Sequence, residues 1–231
     1  ENPFDVVLDG TVETAAGPDV EMYLVSKGQW FAQTGTGTPQ LGEVTPYFFY
    51  ALVAETPSGS ATVNGATVSP PGKSAKTLVR NDFEQSWEYE ADYGTKSTLD
   101  SNFPKGTYEF SIDAVNDETQ TPTLTLPADA YPPAPHVTNW TEAQSLISTA
   151  DFPVTWDAFA GGTADDFIQL CVYNTGGPEV FCTPAPGEPG ALDGTATSAV
   201  IPANTLAGDQ GYDAELMFVN VVALNTTGYP G

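Results

Sequence analysis

The chain has 231 residues, 30 acidic against 6 basic, for a net charge of −24 at pH 7. So few cations cannot build the clustered basic surface that a nucleic acid or an anionic membrane requires, and no apolar run reaches the roughly 18 residues needed to cross a bilayer as a helix. Hydrophobic residues make up 40% of the chain, enough for two cores, which excludes global disorder, and the length fits two domains of about 100–120 residues each.

Ordered segments read as short runs rich in Thr, β-branched and aromatic residues, with turn signals every ten residues or so. This is the rhythm of an antiparallel sandwich or barrel. An extension over residues 1–14 comes first, with Phe4, Val6, Leu8 and Val12 spaced by two or four. It reads either as an ordinary first strand or as a strand donated to another subunit. Strands are then expected over 20–26, 29–34, 47–55, 62–69, 76–81, 84–92, 106–114 and 121–126. In the 84–92 run, Trp87, Tyr89 and Ala91 fall on one face and Glu84, Ser86, Glu88, Glu90 and Asp92 on the other. Alternation of this kind marks a half-buried strand.

A linker is expected over 128–135, where Pro132, Pro133 and Pro135 favour stiff polyproline backbone. Beyond it, strands are expected over 137–141, 152–156, 167–174, 180–183, 198–201 and 212–224. No amphipathic helix stands out, and the best helical stretch is a short one near 141–147. The domain boundaries are therefore 1–127, with the extension 1–14, and 136–231.

The second half resembles a fibronectin type III domain. The resemblance is carried by the prolines before its first strand, by Trp156 closing FPVTW, by the following FIQLCVYN, and by Leu206 six residues before Tyr212. The last pair is similar to a tyrosine corner, in which the hydroxyl bonds back to the chain upstream. The phrase FPKGTYEFSIDA, with Pro104, Gly106, Tyr108, Phe110 and Ile112, resembles the same corner in an immunoglobulin-like first half. The resemblance implies an all-β chain of two tandem antiparallel sandwiches, immunoglobulin-like then fibronectin type III-like, as in modules of secreted bacterial proteins. The family carries no single function to transfer.

The second half departs from that pattern in one respect. After the 212–224 strand only NTTGYPG follows, a poor strand, so the domain lacks its last strand. Either more chain lies beyond this point, or another subunit inserts a strand at the open edge. A head-to-tail contact of that kind does not close on itself and builds filaments.

Cys171 and Cys182 stand directly opposite each other in a hairpin centred between Gly176 and Gly177. A cross-strand disulfide is expected there, facing away from the core and fitting an oxidising compartment. The one histidine, His136, lies in the linker and leaves no Ser-His-Asp or Cys-His constellation to assemble. No enzyme activity and no required cofactor are expected. Calcium is the one candidate ion. Asp157, Asp165 and Asp166 share one loop, and Asp113, Asn116 and Asp117, with Glu118, share another, although solvated loop acids are the commoner explanation of both. Asn139 and Asn225 head glycosylation sequons.

The function expected from these features is a non-enzymatic structural or assembly protein, extracellular or on the cell surface, such as a filament or surface-layer subunit. Its partners are expected to be copies of itself or other cell-surface proteins. The alternative is a carbohydrate-binding module or adhesin with a polysaccharide ligand stacked on exposed aromatics. Neither nucleic-acid binding nor membrane insertion is expected.

Overall fold

The computed structural model describes residues 18–231 apart from Gly59, Ala130 and Thr227. The candidate donor residues Phe4, Val6, Leu8 and Val12 lie outside the described residues. Strand accounts for 43% and helix for 5% of the structure, all in antiparallel pairings, so the chain is all-β.

The first half comprises β1 (Val20–Gln29), β2 (Phe31–Ala32), β3 (Gln40–Leu41), β4 (Tyr47–Glu55), β5 (Val63–Ser69), β6 (Lys76–Thr77), β7 (Val79–Asn81), β8 (Ser86–Tyr93), helix α1 (Lys96–Asn102), β9 (Gly106–Ala114), β10 (Thr119–Gln120) and β11 (Thr123–Leu126). One sheet runs β1-β4-β8-β7. A second runs β10-β9-β5-β6, with β11 also on β9. Period-two alternation explains how they pack. On β9, Tyr108, Phe110, Ile112 and Ala114 are buried while Glu109, Ser111 and Asp113 are exposed. Phe49, Ala51 and Val53 do the same from β4, and residues of both sheets join one core. Phe49 stacks on Phe103 at 3.8 Å, and Tyr23 meets Phe110 edge-on at 5.0 Å.

The second half comprises helix α2 (Trp140–Ala143), β12 (Phe152–Thr155), β13 (Phe167–Asn174), β14 (Glu179–Cys182), β15 (Leu192–Asp193), β16 (Ser198–Ile201) and β17 (Tyr212–Val219). The pair β12-β16 faces a sheet in which β13 pairs with β14 and β15 on one side and β17 on the other. Val154, Trp156, Ala199 and Ile201 from the first layer, and Ile168, Leu170, Val172 and Phe218 from the second, form a separate core.

Several expectations need adjustment. Helix α1 was not expected. Its signal is Thr95, whose hydroxyl accepts the Thr98 N–H at 3.2 Å as an N-cap, and one buried residue, Leu99, seats it. The expected 29–34 strand is absorbed partly into β1, the rest forming half of the small β2-β3 hairpin. β17 ends at Val219, five residues before its expected limit. Ser86 is buried rather than on a solvated face, and its hydroxyl donates to Glu88 at 2.5 Å.

Candidate functional site

The most distinctive place in the second half is the free edge of β17. This strand pairs with β13 along its whole length, from Asn174↔Tyr212 to Phe167↔Val219. Among the described residues no strand pairs with its other side. Asp166 explains why the chain does not fold back there. One of its oxygens accepts the Val221 N–H at 2.8 Å, and the other accepts the Thr163 N–H and hydroxyl, both at 2.8 Å. This clamp catches the chain just past β17. Burial works against the Asp166 charge, but these donors outweigh it and hold the carboxyl below its usual range.

Past the clamp the chain reaches the first half. The Asn225 and Gly231 backbones bond each other in both directions, and the Tyr23 N–H on β1 donates to the Pro230 carbonyl at 3.0 Å. Tyr229 is 7% exposed and belongs to the first core, not the second. Its hydroxyl donates to Asp117 Oδ2 at 2.7 Å. The residues that could have made a last strand for the second half are therefore seated on the first half, beside Gln120–Thr123.

The disulfide forms between Cys171 and Cys182, which are direct partners in the β13-β14 register. Cys171 faces away from the core formed by Ile168, Leu170 and Val172, as expected, but it is covered from solvent and only 7% exposed. It lies on a central strand, flanked by Cys182 on one side and Glu215 of β17 on the other. Burial pushes the Glu215 carboxyl above its ordinary value.

Of the candidate calcium ligands, the side chains of Asp157, Asp166, Asn116 and Asp117 make contacts within the protein. Asp157 pairs with His136 Nδ1 at 2.7 Å. The Asp165 N–H donates to the Thr163 hydroxyl, and Asp166 is the clamp above. In the other loop, Asp19 accepts the Asn116 N–H and side-chain amide and the Asp117 N–H, while Asp117 accepts the Asp19 N–H and the Tyr229 hydroxyl. Asp113 stands on the exposed face of β9. Among the described residues, the one group of metal-type side chains within reach of a single ion is Cys171, Glu179 and Cys182, and its two sulfurs are joined to each other. Both sequon asparagines are engaged: Asn139 Nδ2 donates to the Pro153 carbonyl at 2.7 Å, and Asn225 Nδ2 donates to the Tyr23 hydroxyl.

The start of the second half, just after the linker, is tied to the first half. Gln33 exchanges two bonds with the Val137 backbone, at 2.9 and 2.8 Å, and His136 Nε2 lies 3.3 Å from the Thr36 carbonyl oxygen. The Asp157 contact raises the His136 pKa. Of the aromatics suited to stacking a sugar, Trp30 is 45% exposed and lies against Phe48 at 5.1 Å. Tyr50 shares the outer face with Phe48, and its hydroxyl is pushed up to about 12 by burial and by Glu88, Glu84 and Glu90.

Sequence reasoning missed the seat of Tyr229, because nothing local to GYPG marks a partner some 200 residues upstream. It also missed Lys27, whose signal was present. Tyr23, Val25 and Lys27 alternate on β1, which places a lysine on the core-facing side. No protein-family model matches the chain, and no curated protein matches it.

Proposed function

We propose that this chain is a non-enzymatic extracellular structural protein that assembles through strand addition at the free edge of β17. One observation carries this reading. β17 is bonded on one side only among the described residues, and the chain that follows it is committed elsewhere. An edge strand left this way presents a row of backbone donors and acceptors to an incoming strand.

The strand orders support the immunoglobulin-like part of the reading. β1-β4-β8-β7 and β6-β5-β9-β10 follow the A-B-E-D and C′-C-F-G pattern, and β14-β13-β17 follows C′-C-F, with no G strand among the described residues. Two tyrosine bonds support it further. The Tyr108 hydroxyl donates to the Pro104 carbonyl at 2.9 Å, and the Tyr212 hydroxyl accepts the Ala207 N–H at 2.7 Å. The disulfide supports an oxidising, extracellular setting.

The incoming strand is the 1–14 segment of a second copy. Purified chain at high concentration then forms polymers visible by light scattering and negative-stain microscopy, and deleting residues 1–12 abolishes them. A monodisperse monomer of the intact chain refutes the assembly. The half-exposed Trp30 favours the alternative, a polysaccharide-binding adhesin. That reading requires glycan-array retention that is lost in W30A, and a blank array refutes it.

A further inference from the structure

Lys27 is a lysine at a core-facing position of β1, and its side chain is 5% exposed. Its ammonium nitrogen meets three acceptors: Asp129 Oδ1 at 2.5 Å, Asp100 Oδ1 at 2.8 Å and the Phe103 carbonyl at 3.0 Å. These groups come from the first strand, from helix α1 and its C-cap, and from the segment after β11, so only the folded chain brings them together. Asp100 is further held by Lys96 Nζ at 2.6 Å and by the Tyr131 hydroxyl at 2.8 Å. The Tyr131 ring lies near both lysines, at 4.5 Å from Lys96 Nζ and 5.8 Å from Lys27 Nζ.

An ion pair is a weak reason to keep a lysine at such a position, because taking the charges out of water offsets most of their attraction. An amide carries no charge and removes that cost. Amine and carboxyl groups held in contact also react with effective molarities of about 10⁵ M or more when their orientation is right.

We propose that Lys27 and Asp129 condense to an intramolecular isopeptide bond, with Asp100 as the proton-transferring acid. In the ion-paired state Asp100 is stabilised as a carboxylate: burial opposes the charge, but bonds from Lys27, Lys96 and Tyr131 hold its carboxyl below the usual range. Reaction proceeds from the neutral pair, reached when a Lys27 proton passes to the Asp129 carboxylate with no change in total charge, while Asp100 stays a carboxylate. The Lys27 Nζ lone pair attacks Asp129 Cγ. Asp100 takes a proton from that nitrogen and returns it to the departing Asp129 oxygen. The Nζ–Cγ bond forms, the Cγ–O bond breaks, and one water leaves. No oxidant, reductant or second substrate is needed. Asp129 is assigned as the acyl donor because Asp100 is already fixed by Lys96 and Tyr131.

The bond would close the first half covalently, from its first strand to the segment beyond its last, independently of the assembly at β17. The test is the intact mass of the full chain, disulfide reduced and protein denatured. The expected mass is lower than the sequence mass by one water, and proteolysis should release a branched peptide joining the Lys27 and Asp129 segments. K27R and D129A should return to the full sequence mass, and D100A should accumulate the unreacted form. A full sequence mass in wild-type protein overturns the proposal without reference to any variant. So does a water loss that maps to cyclised Glu1 or to an Asp-Gly step. A branch at Asp100 overturns the assignment of roles.

Discussion

Replacing Tyr229 with Ala should loosen the first core and leave the second unchanged, although Tyr229 follows the second core in sequence. Its ring packs among the residues of the first core and its hydroxyl bonds Asp117 at 2.7 Å. Truncating a fully buried large aromatic costs about 3–5 kcal/mol. Tyr229 sits at the rim, where water can fill part of the vacated space, so the lower end, about 3 kcal/mol, applies. Y229F keeps the ring and loses one bond to a carboxylate. Asp117 retains the Asp19 N–H at 2.8 Å, so that variant should cost only about 1 kcal/mol. Urea unfolding gives the totals, and segment-resolved hydrogen exchange gives the location. Protection should fall in β1 and residues 119–126 and persist in β12–β17. Equal loosening of both cores, or no change in β1, would refute the seating of the tail.

Three further outcomes follow from other contacts. Glu55 is buried and accepts Arg80, Trp87 Nε1 and the Thr62 N–H. Burial opposes its charge, but these donors lower its pKa, so its stabilisation is complete above the ordinary glutamate value and fades as pH falls through the folded value. E55Q should therefore flatten the acid limb of a Tm-versus-pH curve, and an unchanged limb would remove Glu55 from the argument. Replacing both cysteines with Ser should cost about 2–3 kcal/mol for a closure of this length, measured by denaturation with and without reductant. A Cβ at Gly28 would lie 2.2 Å from the Phe48 ring. G28A should therefore push the half-exposed Phe48 ring aside and cost about 1 kcal/mol, read as a lowered urea midpoint.

The sequence by itself carried the all-β class, most strand positions and the disulfide partnership, because each is written in local pattern. Alternation on β9 names its buried face, and the spacing of Cys171 and Cys182 about one turn puts them opposite each other. Local pattern also marks NTTGYPG as a poor strand, since its glycines and proline interrupt a ladder. Only the tertiary structure decided where that segment goes, because the Tyr229 seat is built from β1 and the loop around Asp117, far away in the chain. The loop acids show the same division. Composition could identify Asp166 and Asp117 as oxygen donors, but whether they face an ion or the chain's own N–H groups depends on the path of the backbone around them. Lys27 lies between these cases: its core-facing phase was legible on β1, while Asp100 and Asp129 converge on it only when the strand, the helix and the linker fold together.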